Sequence, residues 1–116
     1  MRLRSDIWVA AYLRLRNADG AFAALRRRGA AEAGAIIVKL DRLDGRVALF
    51  GPAPPSLSAP PPAAGVERLF ARMHEAEWID PADAEARLAR QARYDPDLWI
   101  VEVEDRNGEP RVDLAP

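Results

Sequence analysis

Apolar residues near the start of the chain recur at the i, i+3, i+4, i+7 spacing of an amphipathic helix: Trp8, Ala11, Tyr12 and Leu15. Ser5 is a candidate N-cap, and Gly20 follows the last periodic turn. Alternate residues from Ile7 to Leu15 are also apolar, as in a strand, but a helix keeps Arg14, Arg16 and Asn17 out of the buried stripe. The alanines at 10 and 11 also favour a helix. The pattern therefore predicts that a first helix buries the stripe.

Four further stretches have the composition of β-strands. Residues 35–41 are apolar and β-branched, Asp44-Gly45 is a tight-turn signal, and residues 46–50 return, which together predict a hairpin. Residues 21–29 lie between two glycines and are predicted as a strand, although their alanines leave a helix as the alternative. Residues 66–72 are predicted as another strand.

A second helix is marked by its end signals. Asp80 is a candidate N-cap, Pro81 suits the first helical position, and Pro96 disfavours a helical conformation at the residue before it. The segment after it, residues 98–105, alternates as a strand, with one face formed by Trp99, Val101 and Val103 and the other by Leu98, Ile100, Glu102 and Glu104. Asn107-Gly108 then predicts a hairpin that leads to a short last strand near Val112.

These elements predict an α+β fold, a largely antiparallel sheet of five or six strands with two helices packed on one face. The length of 116 residues fits one globular domain, residues 1–116. Residues 52–62 hold six of the ten prolines and are predicted as a Pro-rich loop.

Composition excludes several classes of function. The chain has 49% hydrophobic and 30% charged residues, which is typical of a globular protein. The absence of cysteine excludes disulfides, thiolate nucleophiles and sulfur-ligated zinc. No apolar run approaches the roughly 18 residues of a spanning helix, so we expect no membrane contact and a cytoplasmic location. Residues 1–50 carry ten bases and five acids, whereas residues 66–116 carry seven bases and thirteen acids. This asymmetry fits either a charged partner or two halves that pack together.

The densest basic run, Arg26, Arg27 and Arg28, is the candidate site for phosphate or nucleic acid. A sequence pI near 5.8 argues against nucleic acid as a partner. A strand would also place Arg27 on the face opposite to the other two.

Carboxylates gather near the C-terminal strand at Asp97, Glu102 and Glu104, beside Trp99. Two acids at i, i+2 lie about 7 Å apart on one strand face, which is within the range of a catalytic pair. Such pairs are common on exposed strands, and we interpret these acids as a solvated face, with no metal. His74 is the single histidine and is predicted to lie on the surface.

Four segments resemble a known family: "LRSDIWVAAYLR", "RRRGAAEAGAIIVKLDRLDG", "LFGPAP" and "LARQARYDPDLWIVEVEDR". In these segments the chain is similar to a family of small alphaproteobacterial proteins, the domain of unknown function 1491. The resemblance covers nearly the whole chain except the Pro-rich loop. It implies a bacterial single-domain protein, and it transfers no catalytic residue because the family has no established activity.

The leading hypothesis is a small non-enzymatic protein-interaction module, with no catalytic residue and no cofactor, that associates with itself or with a protein partner through a sheet edge or an apolar face. One alternative is a ligand-binding protein or enzyme that uses arginine and carboxylates around Arg27, Asp97 and Glu102. Another is weak nucleic-acid binding through Arg26–Arg28. The candidate binding residues are Arg26, Arg27, Arg28, Asp97, Trp99, Glu102 and Glu104.

Overall fold

The computed structural model of the protein describes residues 3–54 and 68–115. Within these ranges the chain forms two helices and five strands. Their order is α1 (Ser5–Ala18), β1 (Phe22–Arg27), β2 (Ile36–Asp41), β3 (Val47–Pro52), β4 (Phe70–Arg72), α2 (Pro81–Tyr94) and β5 (Trp99–Glu104).

The strands form one sheet in the order β1-β5-β2-β3-β4. All neighbours are antiparallel except β2 and β5, which run parallel with Leu40 opposite Val103. The last strand in sequence therefore lies in the middle of the sheet, between β1 and β2. The predicted α+β class, the five strands and the largely antiparallel pairing are confirmed.

The two helices lie on opposite faces of the sheet. The prediction that both helices pack on one face is therefore wrong. On the first face, α1 buries Val9 and Tyr12 in a cluster that includes Trp99, Val101 and Val103. On the second face, α2 buries apolar side chains in a separate cluster with Ile37, Leu49 and Ile100. The reason is that β2 and β3 are buried along five consecutive residues each, so both faces of the central sheet are apolar and each needs a cover.

The predictions of the β2–β3 hairpin and of helix α2 are confirmed. Val38 pairs with Phe50 and Asp41 with Val47. Asp80 is the N-cap residue of α2, although its side chain forms no capping hydrogen bond.

The turn at Asn107-Gly108 does not form the predicted hairpin. Both edges of β5 are already occupied by β1 and β2, so no strand can return beside it. The chain instead crosses α1 and pairs Leu114 with Phe70 in a parallel bridge at the outer edge of β4.

Ser5 is not the N-cap of α1, because the cap residue is Arg4. Ser5 is fully buried, and its hydroxyl donates a hydrogen bond to the carbonyl of Gly34 at 2.6 Å. Of the predicted Pro-rich loop, Pro52 ends β3, and residues 55–62 lie outside the described part of the chain. Residues 66–67 of the predicted fourth strand also lie outside it, and the strand itself is limited to Phe70–Arg72.

Neither described helix is long and apolar enough to span a membrane.

Candidate functional site

The open half of the second sheet face carries a network of four charged residues. α2 covers the apolar half of this face, and its Glu85 reaches the charged half. Glu85 pairs with Arg26 of β1 at 2.7 Å and with Lys39 of β2 at 2.8 Å. Glu102 of β5 completes the network with contacts of 2.7 Å to Arg26 and 3.3 Å to Lys39. Two bases and two acids thus neutralise each other and join α2 to three strands.

The network shifts the pKa values of Glu85 and Lys39. The hydrogen bond from Arg26 lowers the pKa of Glu85 to about 2, against the opposing effect of burial. Burial lowers the pKa of Lys39, but its bonds with Glu85 and Glu102 outweigh burial, and the pKa is raised overall. Both shifts favour the charged forms of Glu85 and Lys39, and the arrangement is that of a structural ion network.

Next to this network lies a pair of acids without a base. Asp41 of β2 and Glu104 of β5 are register partners on adjacent strands, and their carboxylates lie within 4.8 Å of each other and of Glu102. Three such oxygens could hold a hard cation, but Glu102 already pairs with two bases. No ion pair links Asp41 or Glu104 to a base among residues 3–54 and 68–115.

A cleft of about 360 Å³ adjoins this pair at the end of the sheet. Glu104 lines it together with Phe22, which is 61% exposed, and Leu43, which has a left-handed backbone with a φ of 67°. The cleft contains neither Arg27, Asp97 nor Glu102 among its lining residues.

The three consecutive arginines do not form one patch. Arg26 belongs to the ion network, whereas Arg27 donates to the backbone carbonyls of Pro96 and Leu98. The guanidinium of Arg28 stacks 5.3 Å from the centre of the Trp99 ring. The register shift between Leu25 and Arg27 contributes to this separation. The geometry therefore gives the nucleic-acid hypothesis no support, since the guanidinium groups engage three different sets of partners.

Asp97 and Trp99 are held by the segment that follows β1. The amide of Ala30 donates to the carbonyl of Asp97 at 3.0 Å, and the indole of Trp99 donates to the carbonyl of Ala30 at 2.7 Å. Trp99 is 1% exposed and belongs to the core. The structure thus brings Arg26, Glu102 and Glu104 to one face, and it places Arg27, Arg28, Asp97 and Trp99 elsewhere; their roles as binding residues stay predictions.

His74 is half-buried and not a free surface histidine. Its Nε2 accepts a hydrogen bond from the amide of Leu49, and its Nδ1 bonds to the carbonyl of Ala76.

A larger groove, of about 560 Å³, runs between α1 and the C-terminal segment. Its lining includes all four residues of the stripe that the helical periodicity predicted to be buried: Trp8, Ala11, Tyr12 and Leu15. α1 is rotated so that Ser5, Val9 and Tyr12 face the core. Leu15 is 51% exposed, and Ile7, one turn before Ala11, is 49% exposed.

The walls of the groove are well fixed. The rings of Trp8 and Tyr12 stack with their centres 5.0 Å apart, and the Tyr12 hydroxyl donates to the carbonyl of Pro110 at 2.6 Å. Arg16 donates to the carbonyl of Arg111 at 3.2 Å. These bonds tie the C-terminal segment to α1 and hold the groove open.

Sequence reasoning missed this groove, although a signal was present. α1 carries two apolar stripes, one through Val9 and Tyr12 and one through Ile7, Ala11 and Leu15. A helix that packs on a sheet needs one such stripe for the core. The second stripe could therefore have been recognised as surplus.

Comparisons with known proteins agree on one family. The model described as "Protein of unknown function (DUF1491)" matches residues 3–113. The chain is similar to a DUF1491 family protein from Caulobacter crescentus, known from a crystal structure with 37% identity, coverage of 100% of both chains and a TM-score of 0.77. An NMR structure of a DUF1491 family protein from the same species gives 37% identity, coverage of 100% and 99%, and a TM-score of 0.78. The solution structure of protein Atu0922 from A. tumefaciens has 36% identity and a TM-score of 0.75, and the match covers 100% of this chain and 98% of that chain.

No curated protein matches the chain at a significant level. The resemblance drawn from the sequence is confirmed, since both source organisms are alphaproteobacteria.

Proposed function

The chain belongs to the DUF1491 family, whose members are described as proteins of unknown function, and we propose that it is a non-enzymatic protein-interaction module. Its docking surface in this proposal is the groove beside α1, which takes an apolar segment of a protein partner.

The observation that carries the proposal is the surplus apolar stripe of α1. Leu15 lines the groove and is 51% exposed, and Ile7, on the same helix face but outside the groove lining, is 49% exposed, while a different stripe of the same helix is buried on the sheet. Exposed apolar side chains that adjoin each other on one helix face stabilise a protein only when another surface covers them. Folding of the monomer does not need this stripe, so its presence supports a docking role.

The lining of the groove suits a protein partner. The stacked pair Trp8 and Tyr12 gives a rigid aromatic wall, and aromatic residues of this kind provide much of the binding energy in protein interfaces. Ala11 and Leu15 add apolar surface, and the lining also holds charged residues. Protein interfaces likewise combine apolar contacts with charged and polar groups.

Site-specific photo-crosslinking in living cells tests this proposal. A benzoylphenylalanine placed at Arg14, at the border of the stripe, is expected to give covalent protein adducts. The same group at Tyr94, which is 81% exposed on α2 and thus on the opposite sheet face, is the matched control and is expected to give none.

The adducts from position 14 should disappear when Ile7→Asp is added, because a carboxylate in the stripe opposes burial. Adducts that form equally at both positions, or that survive Ile7→Asp, would contradict the proposal.

A cytoplasmic location is part of the same proposal. It is supported by the run of residues 7–13, which resembles the apolar core of an export signal but is used here as part of a helix packed on the sheet. Fractionation of cells that express the full chain tests it, and recovery in the periplasmic fraction would contradict it.

A further inference from the structure

We infer that the partner in the groove is a second copy of this chain, related to the first by a two-fold axis that crosses α1 near Ala11. This inference rests on the proposed function, because it names the occupant of the same groove. Three features of the described residues lead to it: the sheet edges, the charges of the groove and the spacing of the apolar stripe.

Part of each edge of the sheet is already hydrogen-bonded, which hinders pairing with another strand. At β1, the side-chain amide of Asn17 accepts from the amide of Ala23 at 2.9 Å and donates to its carbonyl at 3.0 Å. Asn17 thus imitates the peptide group of a neighbouring strand. At β4, Phe70 donates to the carbonyl of Asp113 and accepts from the amide of Ala115, both at 2.8 Å. Proteins protect edges in this way against unwanted pairing, so association of two copies falls to the exposed helix face.

The charges of the groove are complementary to themselves. Arg111 lies in its lining together with Glu109 and Asp113, while Arg16, also in the lining, already pairs with Asp19 of the same chain at 3.0 Å. A two-fold contact places the same surface of both copies face to face, so a surface of one sign would repel itself. A groove that holds both signs allows the Arg111 guanidinium of each copy to meet the carboxylates of the other.

The apolar stripe is symmetric about Ala11. Ile7 and Leu15 are each four residues from it, and a rise of about 1.5 Å per residue separates them from one another by about 12 Å. When two copies of α1 cross in antiparallel orientation, Ile7 faces Leu15 of the partner copy and Ala11 faces its own equivalent. The small alanine at the axis allows the two helices to approach closely.

Sedimentation equilibrium of the full chain tests the inference through a charge exchange. The wild-type chain should show a concentration-dependent dimer. Ile7→Glu and Leu15→Lys should each weaken the dimer by about tenfold or more, because each substitution places an unpaired charge at two symmetric contacts. The double variant I7E/L15K should recover much of the lost affinity, because each glutamate then faces a lysine of the other copy.

Within one chain these two positions lie about 12 Å apart, too far for a direct ion pair, so recovery reports the contact between copies. Tyr94→Glu is the control for added surface charge and should leave the dimer unchanged. Circular dichroism should show that all variants remain folded, which is expected because both positions are about half exposed.

A wild-type chain that stays monomeric at all concentrations would overturn the inference, as would a double variant that remains as weak as the single ones. The proposed function fails differently. If crosslinking at position 14 captures another protein while the chain is monomeric, the inference falls and the docking role stands. If a dimer forms but ignores all three stripe variants, it uses another surface, and the inference is overturned.

Discussion

The imidazole of His74 takes the place of a strand residue beside Leu49. The Nε2 atom accepts a hydrogen bond from the amide of Leu49 at 3.0 Å, and the Nδ1 atom lies 2.6 Å from the carbonyl oxygen of Ala76. β4 ends at Arg72, so the ring continues the hydrogen bonding along the outer edge of β3. Because Nε2 accepts and Nδ1 donates, the ring is neutral. Burial lowers the pKa of His74 below its ordinary value of 6.5.

Stability should therefore fall in mildly acidic solution. The unfolded chain binds a proton near pH 6.5, whereas the folded chain binds it only at lower pH, so the His74 contribution is complete above pH 6.5 and is lost as the pH falls through the folded value. For one titrating group, the unfolding free energy cannot change by more than about 1.4 kcal/mol per pH unit. Urea unfolding between pH 5 and pH 8 measures it, and the chain has no other histidine to confuse the result.

His74→Leu should remove this pH dependence. It should also cost about 1–3 kcal/mol at pH 8, because the amide of Leu49, a fully buried residue, loses its acceptor. Glu75→Gln, at the exposed neighbouring position, is the control. Equal wild-type stability at pH 5.5 and pH 8 would show that the hydrogen bond to Leu49 does not depend on a neutral ring.

Replacement of Glu102 or Glu104 by glutamine should change the stability of the protein in opposite directions. Glu102 pairs with Arg26 and Lys39, so Glu102→Gln should destabilise the protein by about 1 kcal/mol, a value that allows for solvent screening. Glu104 lies beside the like charges of Asp41 and Glu102, and Glu104→Gln should stabilise the protein by a few tenths of a kcal/mol. Denaturant unfolding at low and high salt measures both effects, which should shrink as salt screens them. Destabilisation by both would indicate that Glu104 has a favourable partner.

Gly29 should tolerate no side chain. A Cβ atom there would overlap the backbone oxygen of Asp97 and lie 2.7 Å from Trp99 Cδ1. Backbone and buried indole cannot easily move, so Gly29→Ala should cost several kcal/mol. Gly45→Ala is the comparison, because its Cβ would meet nothing within 4 Å and only the positive φ of 84° opposes it. That variant should cost about 1 kcal/mol. Thermal unfolding measures the stability loss of each variant. Equal losses for Gly29→Ala and Gly45→Ala would contradict the close contact of Gly29 with Asp97 and Trp99.

Asn17→Leu should expose the edge of β1. It removes both hydrogen bonds to Ala23 and leaves an apolar side chain beside an open strand edge. We expect a loss of about 1–2 kcal/mol and association at high concentration. Light scattering with and without Ile7→Asp distinguishes this route from the helix groove, because edge pairing should not depend on Ile7. Asn17→Asp is a useful intermediate, since it keeps the acceptor and loses the donor.

The sequence predicted the elements well where the signal was local. The hairpin around Asp44-Gly45 and the start of α2 at Asp80 and Pro81 depend on residues within a few positions of each other, and both are confirmed. The alternation in residues 98–105 also identified the two faces of β5 correctly, with Trp99 inward and Glu102 on the other side.

Predictions failed where the answer depended on distant residues. Ser5 has the composition of a cap, yet its hydroxyl bonds to Gly34, 29 residues away. Asn107-Gly108 has the form of a hairpin turn, but β1 and β2 had already filled both sides of β5. The helix stripe through Ala11 and Leu15 was assigned to the core because periodicity shows which residues share a face and not which face is covered.

By itself, the sequence determined the class of the fold, the position of most elements and the family, because propensity, turn chemistry and apolar spacing act over short distances along the chain. Only the tertiary structure decided strand order, the placement of the helices on opposite faces and the pairing of Arg26 with Glu85 and Glu102. Those features depend on which surfaces remain uncovered after the other elements have packed, and that competition involves the whole molecule. The groove beside α1 has the same origin, because one apolar stripe of the helix packs on the sheet and the other stays exposed to solvent.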